Sequence, residues 1–150
     1  MLRAKDIMTK KVITVSPETE ILEAARILLQ NHLNGLPVVD DENRLKGIIC
    51  QSDLIYQQKK IPLPSFFTIL DGTIPLRLPA DVDAEMRKIA ALKVSQAMTP
   101  DPISIEPETT LDEIATLMVK HKVHTLPVQD RGILVGVIGK EDVLRTIVSS

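Results

Sequence analysis

The chain repeats itself at a nearly constant spacing, and this repetition constrains the fold more than any other feature. Met8-Thr9 returns 90 positions later as Met98-Thr99, and Leu36-Pro37-Val38 returns as Leu126-Pro127-Val128. Later motifs match after a slip of one residue. A repeat of this length indicates a duplicated supersecondary unit. Two such units can pack about a pseudo-twofold axis, so we expect the functional clefts to lie between them.

Composition excludes several classes of function. The net charge is −2, and the chain has one tyrosine and two phenylalanines. Neither a basic face nor an aromatic stacking platform for nucleic acid is therefore expected. No apolar run reaches membrane-spanning length, and the N-terminus lacks the apolar segment of a signal peptide. A single cysteine excludes an internal disulfide. These features predict a cytoplasmic domain with no nucleic-acid or membrane partner.

Within each repeat the residue periodicity changes in the same order. A short β-favouring run at 12–15 is matched at 103–105. A Pro-Glu-Thr turn follows, and its threonine, Thr19 or Thr109, is placed to cap a helix. An apolar stripe at helical spacing, two strands and a short helix complete each unit. The stripes are Ile21, Ala24, Ala25 and Leu28 in the first copy and Leu111, Ile114, Ala115 and Met118 in the second.

The predicted fold is therefore α/β (α+β), with two β-α-β-β-α repeats at 1–55 and 94–150. Between them lies an insertion at 56–93, which holds four prolines and the adjacent Phe66 and Phe67. This segment is too apolar for a flexible linker. Two interpretations stay open: a connector that packs on its own module, or one whose phenylalanines cover a cleft or a dimer mate.

The joint recurrence of these motifs resembles a tandem pair of CBS domains, or Bateman module. The resemblance rests on the opening Asp-Ile-Met-Thr at 6–9, on Leu-Pro-Val, and on a Gly-hydrophobic-hydrophobic segment that ends in Asp. It implies a regulatory module that binds an adenosine-containing ligand between the repeats, forms a homodimer and controls an unidentified effector protein. The ligand would be an adenine nucleotide or S-adenosylmethionine, and no cofactor would be required.

Asp53 and Asp142 are the central candidates for the ligand site. Each lies just past an apolar strand, in the predicted first turn of a helix. A carboxylate there is stabilised by the helix dipole and can simply cap the helix. The resemblance implies that it also accepts hydrogen bonds from the hydroxyls of a ribose. By the same resemblance, Ser or Thr commonly stands three residues earlier, where this chain has Cys50 and Gly139. These replacements favour a changed ligand or a degenerate site, because they remove a hydroxyl donor.

The two repeats differ in the donors available for a phosphate. Lys140 stands near Asp142, and His124 precedes the second Leu-Pro-Val, whereas Gln51 and Asn34 occupy the equivalent positions of the first repeat. Cations bind phosphate more strongly than amides do. The Asp142 cleft is therefore the favoured nucleotide site, although Lys140 also fits a solvated lysine at a helix start.

Thr14 and Ser104, at the ends of the predicted first strands, could offer backbone groups to an adenine edge. The full set of candidate ligand-binding residues is Thr14, Leu36, Pro37, Cys50, Asp53, Ser104, His124, Leu126, Pro127, Gly139, Lys140 and Asp142.

No catalytic constellation stands out. His121 and His124 have a spacing that could bind a metal, but no third ligand is evident and the helix is expected to end before His124. Cys50 falls in an apolar strand, which favours a buried thiol over a reactive one. We therefore expect no catalytic or metal site. The two open hypotheses are a sensor of an adenosine ligand and a ligand-free dimeric interaction module.

Overall fold

The computed structural model describes residues 1–58 and 92–149. Residues 59–91 of the predicted insertion, with Phe66 and Phe67, lie outside the described residues. In chain order the elements are α1 (Ala4–Ile7), α2 (Ile21–Gln30), β1 (Gly35–Val39), β2 (Leu45–Cys50), α3 (Gln51–Gln58), α4 (Val94–Ala97), β3 (Thr99–Pro100), α5 (Leu111–His121), β4 (Thr125–Asp130), β5 (Ile133–Gly139) and α6 (Lys140–Ser149).

Each repeat is built around an antiparallel hairpin, β1–β2 in the first and β4–β5 in the second. The two hairpin tips meet, because the Leu45 amide donates to the Gly132 carbonyl at 2.9 Å and the Leu134 amide donates to the Asn43 carbonyl at 3.0 Å. A helix precedes each hairpin and another follows it directly. The predicted mixed fold of two equivalent repeats is confirmed. The boundaries proposed for the repeats and the insertion stay a prediction.

The apolar stripe of α2 is confirmed as a core face. Its four residues are at most 1% exposed, and they pack on β1, β2 and α3 in the first repeat. In α5 only Ile114 is fully buried, and the other three members of the stripe are half-buried. In both α2 and α5 the apolar stripe is the face that packs on the core. This packing, rather than intrinsic propensity, stabilises helices of this length.

The predicted first strands are wrong. Val15 forms a single parallel bridge with Val38, and Ile105 forms one with Val128. Each bridge uses two backbone hydrogen bonds, such as Val15 N–H to the Pro37 carbonyl at 3.1 Å. Pairing stops there because a turn that contains Pro-Glu-Thr begins at the next residue, Ser16 or Glu106, whose carbonyl accepts from the Thr19 or Thr109 amide.

The predicted caps, Thr19 and Thr109, are also wrong. Both hydroxyls instead close the preceding turn, accepting from the amides of Ser16 and Glu106 respectively at 3.1 Å. This local bond competes with capping for the same hydroxyl. The cap of α5 is Thr110, whose hydroxyl accepts from the Glu113 amide at 3.3 Å.

The opening segments of the two repeats are exchanged, so that each packs on the opposite repeat. The Ala4 amide donates to the Thr109 carbonyl at 2.8 Å, next to the start of α5. In the equivalent place the Val94 amide donates to the Thr19 carbonyl at 2.7 Å, next to the start of α2. Ala4 and Val94 are both 0% exposed and belong to the core of the repeat on which they dock. Neither hydrophobic core is therefore complete without the other repeat's segment.

Two glycines make room for these exchanged segments. β3 adds an edge to β2, with Gly47 opposite Pro100, and Thr9 forms the corresponding bridge with Val137. A Cβ on Gly47 would lie 2.7 Å from both the Met98 sulfur and the Thr99 carbonyl oxygen. On Gly136 it would lie 2.5 Å from the Met8 sulfur. Only glycine lets the exchanged backbone approach the strand this closely.

Replacing Gly47 by alanine should lower the free energy of unfolding by about 1–3 kcal/mol, because the new methyl must displace backbone as well as the flexible Met98 side chain. Urea denaturation followed by circular dichroism measures this change. Gly139→Ala is the matched control, since a Cβ there meets nothing closer than 3.8 Å. Equal stability of Gly47→Ala and the wild type would show that the close approach is not a constraint.

Candidate functional site

Two cavities lie between the repeats, one beside each candidate aspartate. The Asp142 cavity has a volume of about 250 Å³ and the Asp53 cavity about 480 Å³. In each, one wall is the junction between the last strand of a repeat and its closing helix. The opposite wall comes from the other repeat, through its opening segment and the connection that precedes its Leu-Pro-Val. The predicted placement of clefts between repeats agrees with this arrangement.

The two cavities use equivalent positions of the repeat. The residues that line the Asp142 cavity include Thr9, Lys11, Ile13, His32, Leu33, Asn34, Gly139, Lys140, Glu141, Asp142 and Arg145. Those that line the Asp53 cavity include Thr99, Asp101, Ile103, Lys122, Val123, His124, Cys50, Gln51, Ser52 and Asp53. The residues from Thr9 to Asn34 correspond to those from Thr99 to His124 at a spacing of 90. The residues from Gly139 to Asp142 correspond to those from Cys50 to Asp53 at a spacing of 89.

Asp142 both caps α6 and lines its cavity. Its Oδ2 accepts from the Gly139 amide at 2.7 Å, so one oxygen holds the turn between β5 and α6. Its Oδ1 lies 3.4 Å from the Thr9 hydroxyl, which belongs to the exchanged segment, and is paired with the Arg145 guanidinium. Asp142 is only 6% exposed, and this bonding compensates the burial of its carboxylate.

Asp53 repeats this geometry with fewer charged neighbours. Its Oδ2 accepts from the Cys50 amide at 2.7 Å. Burial raises the pKa of the Asp53 carboxyl, and hydrogen bonds from the Cys50 amide and the Thr99 side chain oppose that shift. The position equivalent to Arg145 is Tyr56, which brings no positive charge. The cap interpretation thus holds for both aspartates, and each also faces the space where a ligand would bind.

The sequence predicts that His124 shares a cleft with Lys140 and Asp142, and this prediction is wrong. The His124 carbonyl accepts from the Lys140 amide at 3.0 Å, but the residue lines the Asp53 cavity. The connection before Leu-Pro-Val faces the aspartate of the opposite repeat, which explains the difference. The histidine of the Asp142 cavity is His32 instead.

The remaining candidates fall into three groups. Pro37, Gly139 and Lys140 line the Asp142 cavity, and Cys50 lines the Asp53 cavity. Leu36, Leu126 and Pro127 are buried in the structure and support the hairpins from within. Ser104 lines a third, more open cavity of about 640 Å³ beside α5, and Thr14 is half-buried and lines neither inter-repeat cavity.

Sequence reasoning missed several residues that line the cavities, namely Thr9, Lys11, His32, Arg145, Thr99, Asp101 and Lys122. Thr9 and Thr99 carry a signal, because they belong to the repeated Met-Thr pair. The others carry none, since polar and charged residues on exposed turns and helix faces are ordinary in any soluble domain.

The metal site considered at His121 and His124 is not formed. α5 ends at His121, and Lys122 adopts a left-handed conformation with φ of 54°, so the helix does not continue to His124. Across residues 1–58 and 92–149, no cluster of three metal-ligating side chains is present.

Over the same residues, no helix is long and apolar enough to cross a membrane.

Comparison with known proteins agrees with this architecture. The family model described as CBS domain matches residues 4–60 and 94–149. A CBS domain-containing protein of Dictyostelium discoideum is 32% identical over 145 residues, which cover 96% of this chain and 90% of that protein.

Two solved structures show the same fold with ligands. CBSX2, a CBS-pair protein from Arabidopsis thaliana crystallised in complex with AMP, has a TM-score of 0.76 and 25% identity, covering 99% of this chain and 98% of the other. The CBS domain pair of protein MJ0100, in complex with 5′-methylthioadenosine and S-adenosyl-L-methionine, has a TM-score of 0.71 and 25% identity over the same shares.

The unique thiol, Cys50, should react slowly in the folded protein. Burial raises the pKa of Cys50 to about 11, and the neighbouring Asp53 carboxylate adds to the shift. The thiolate fraction at pH 8 is then about 0.001, roughly a hundredfold below that of a thiol at the unperturbed value of 9.0. Iodoacetamide labelling followed by mass spectrometry should be correspondingly slower in buffer than in 8 M urea. Equal rates in both would contradict the placement of Cys50.

Proposed function

Because the chain belongs to the CBS domain family, we propose that it is a regulatory module that binds an adenosine-containing ligand between its two repeats. The observation that carries this proposal is the pair of aspartates, each held at a cavity wall by a backbone amide and approached by a threonine of the exchanged segment. A carboxylate fixed in this way can accept both hydroxyls of a ribose. The complexes of CBSX2 with AMP and of MJ0100 with adenosine derivatives support this ligand class.

The mechanism we propose is binding without chemistry. A ligand in either cavity contacts both repeats at once, so it favours the relative orientation in which both walls fit. It can shift that orientation only by its difference in affinity between the two states. The exchanged segment provides a direct link, since Thr9 contacts Asp142 and also pairs with Val137 in β5.

We further propose that the module acts as a homodimer in the cytoplasm and signals to an effector protein. On α6, the apolar side chains of Leu144, Ile147 and Val148 are 55%, 67% and 86% exposed and share one helix face. Exposed apolar patches of this kind are typical of protein–protein contact. A second copy of the chain, related by a twofold axis, would bury this face against itself.

One alternative keeps a specific observation in its favour. Cys50 and Gly139 stand where the family resemblance implies a hydroxyl, and neither supplies one. In this case the clefts are degenerate, and the exposed face of α6 is the functional surface of a ligand-free interaction module.

Asp142→Asn should abolish most of the stabilisation that an adenine nucleotide induces. Asparagine keeps an oxygen that can accept from the Gly139 amide, so the cap survives while the charge is lost. Hydrogen bonds to a charged acceptor contribute roughly 1.5–3 kcal/mol, so affinity should fall at least about tenfold. Thermal-shift measurements with AMP, ADP, ATP, NAD and S-adenosylmethionine test this change.

The matched control is Asp41→Asn, since Asp41 is exposed in the turn between β1 and β2. This variant should keep the full ligand shift of the wild type. No shift of the wild type with any of these compounds would reject the sensor and favour the interaction module.

A further inference from the structure

The two cavities are equivalent in backbone but opposite in charge. The Asp142 cavity carries Lys11, Lys140 and Arg145 against Glu141 and Asp142, which gives a formal charge of +1 with histidine neutral. The Asp53 cavity carries Lys122 against Asp53 and Asp101, which gives −1. The difference arises at positions that the repeat makes equivalent, so it is a difference in ligand environment rather than in architecture.

From this contrast we infer that the cavities accept different adenosine ligands: a nucleoside phosphate at Asp142, and a phosphate-free adenosine derivative at Asp53. The inference rests on the proposed function and assigns a ligand class to each half of the site. Both ligands share the ribose that the aspartates would hold, and they differ only in the group attached at the 5′ carbon.

Three equivalent positions make the Asp142 cavity the more positive one, and two others, Glu141 against Ser52 and His32 against Lys122, offset part of that difference. Lys11 corresponds to Asp101, Lys140 to Gln51 and Arg145 to Tyr56, so each cation of the Asp142 cavity is replaced by an acid or an uncharged side chain. A phosphate monoester carries a charge of about −1.5 to −2 at pH 7. Charge-assisted bonds to lysine and arginine are about twice as strong as neutral ones, so this ligand prefers the Asp142 cavity.

Arg145 is suited to contact such a phosphate. Its guanidinium pairs with Asp142 Oδ1, yet the side chain remains 66% exposed. It can therefore turn from the carboxylate toward an incoming anion without leaving a buried position. When a ribose replaces the guanidinium at Asp142, the carboxylate still accepts the hydrogen bond from the Gly139 amide.

The Asp53 cavity disfavours a phosphate and suits an apolar 5′ group. Two carboxylates, Asp53 and Asp101, line it, and burial already raises the pKa of Asp53 by penalising its charged form. A second anion nearby would add repulsion. Apolar side chains line much of the remaining wall, namely Ile48, Ile55, Pro102, Ile103 and Val123.

The positive charge that lines this cavity is Lys122, from the connection before the second Leu-Pro-Val. One lysine does not balance the two carboxylates, so the cavity is net negative. A thioether or a sulfonium group at the 5′ carbon is therefore better matched to it than a phosphate is.

AMP and 5′-methylthioadenosine form a matched pair of probes, because they differ at the 5′ group alone. Isothermal titration calorimetry of the wild type, Asp53→Asn and Asp142→Asn assigns each ligand to a cavity. AMP affinity should fall at least tenfold in Asp142→Asn and stay within twofold in Asp53→Asn. The methylthio ligand should show the reverse. Both variants keep an oxygen for the cap, and their thermal midpoints without ligand report whether they fold.

Substitutions that change the charge of one cavity test whether charge causes the difference in ligand preference. Lys11→Asp should weaken AMP binding about five- to tenfold at low salt, and the loss should shrink in 0.5 M salt, while the methylthio ligand is unaffected. Asp101→Asn should strengthen AMP binding to the Asp53 cavity. Asparagine suits this position, because residue 101 has φ of 47° and asparagine tolerates the left-handed region.

Loss of AMP binding in Asp53→Asn, or equal effects of both variants on both ligands, would overturn this assignment and leave the proposed function standing. No binding of either ligand to the wild type would overturn both.

Discussion

Each Met-Thr segment packs across a glycine of the opposite repeat, and this contact joins the two halves of the molecule. Met98 lies against Gly47 and Met8 lies against Gly136, at distances that leave no room for a side chain. Because the segments are exchanged, Ala4 and Val94 complete hydrophobic cores that their own repeats do not contain. The two repeats therefore hold each other together through segments whose next residues, Thr9 and Thr99, line the clefts.

The clefts follow from this exchange. The segment that crosses Gly136 continues into Thr9, beside Asp142, and the one that crosses Gly47 continues into Thr99, beside Asp53. A ligand bound at either aspartate thus contacts the structure that joins the repeats, which is the requirement for a binding event to alter their relative orientation. The duplicated backbone provides two such places, and later divergence of side chains can tune each one without changing the fold.

Much of the fold could be predicted from the sequence, because the signals are local. The stripe from Ile21 to Leu28 has helical spacing and is buried as expected, and each aspartate lies in the first turn of a helix after an apolar strand.

The wrong predictions have physical reasons. The segments around Val15 and Ile105 have strand propensity, but each pairs with the sheet through a single residue. The hydroxyls of Thr19 and Thr109 accept hydrogen bonds within the preceding turn and so do not cap a helix. The exchange joins residues as distant as Ala4 and Thr109, and no periodicity reveals such a partner. For that reason the aspartates and Lys140 could be proposed for the site, whereas the cleft that His124 lines and the position of Lys11 at a cavity wall could not.

A crystal structure of the protein grown with AMP would show whether an adenosine ligand binds between the repeats at the aspartates. We expect density for the nucleotide in the Asp142 cavity, with the ribose hydroxyls within hydrogen-bond distance of the Asp142 carboxylate and the phosphate near Lys11, Lys140 or Arg145. Nucleotide bound elsewhere on the surface, or two unoccupied cavities at saturating AMP, would contradict it.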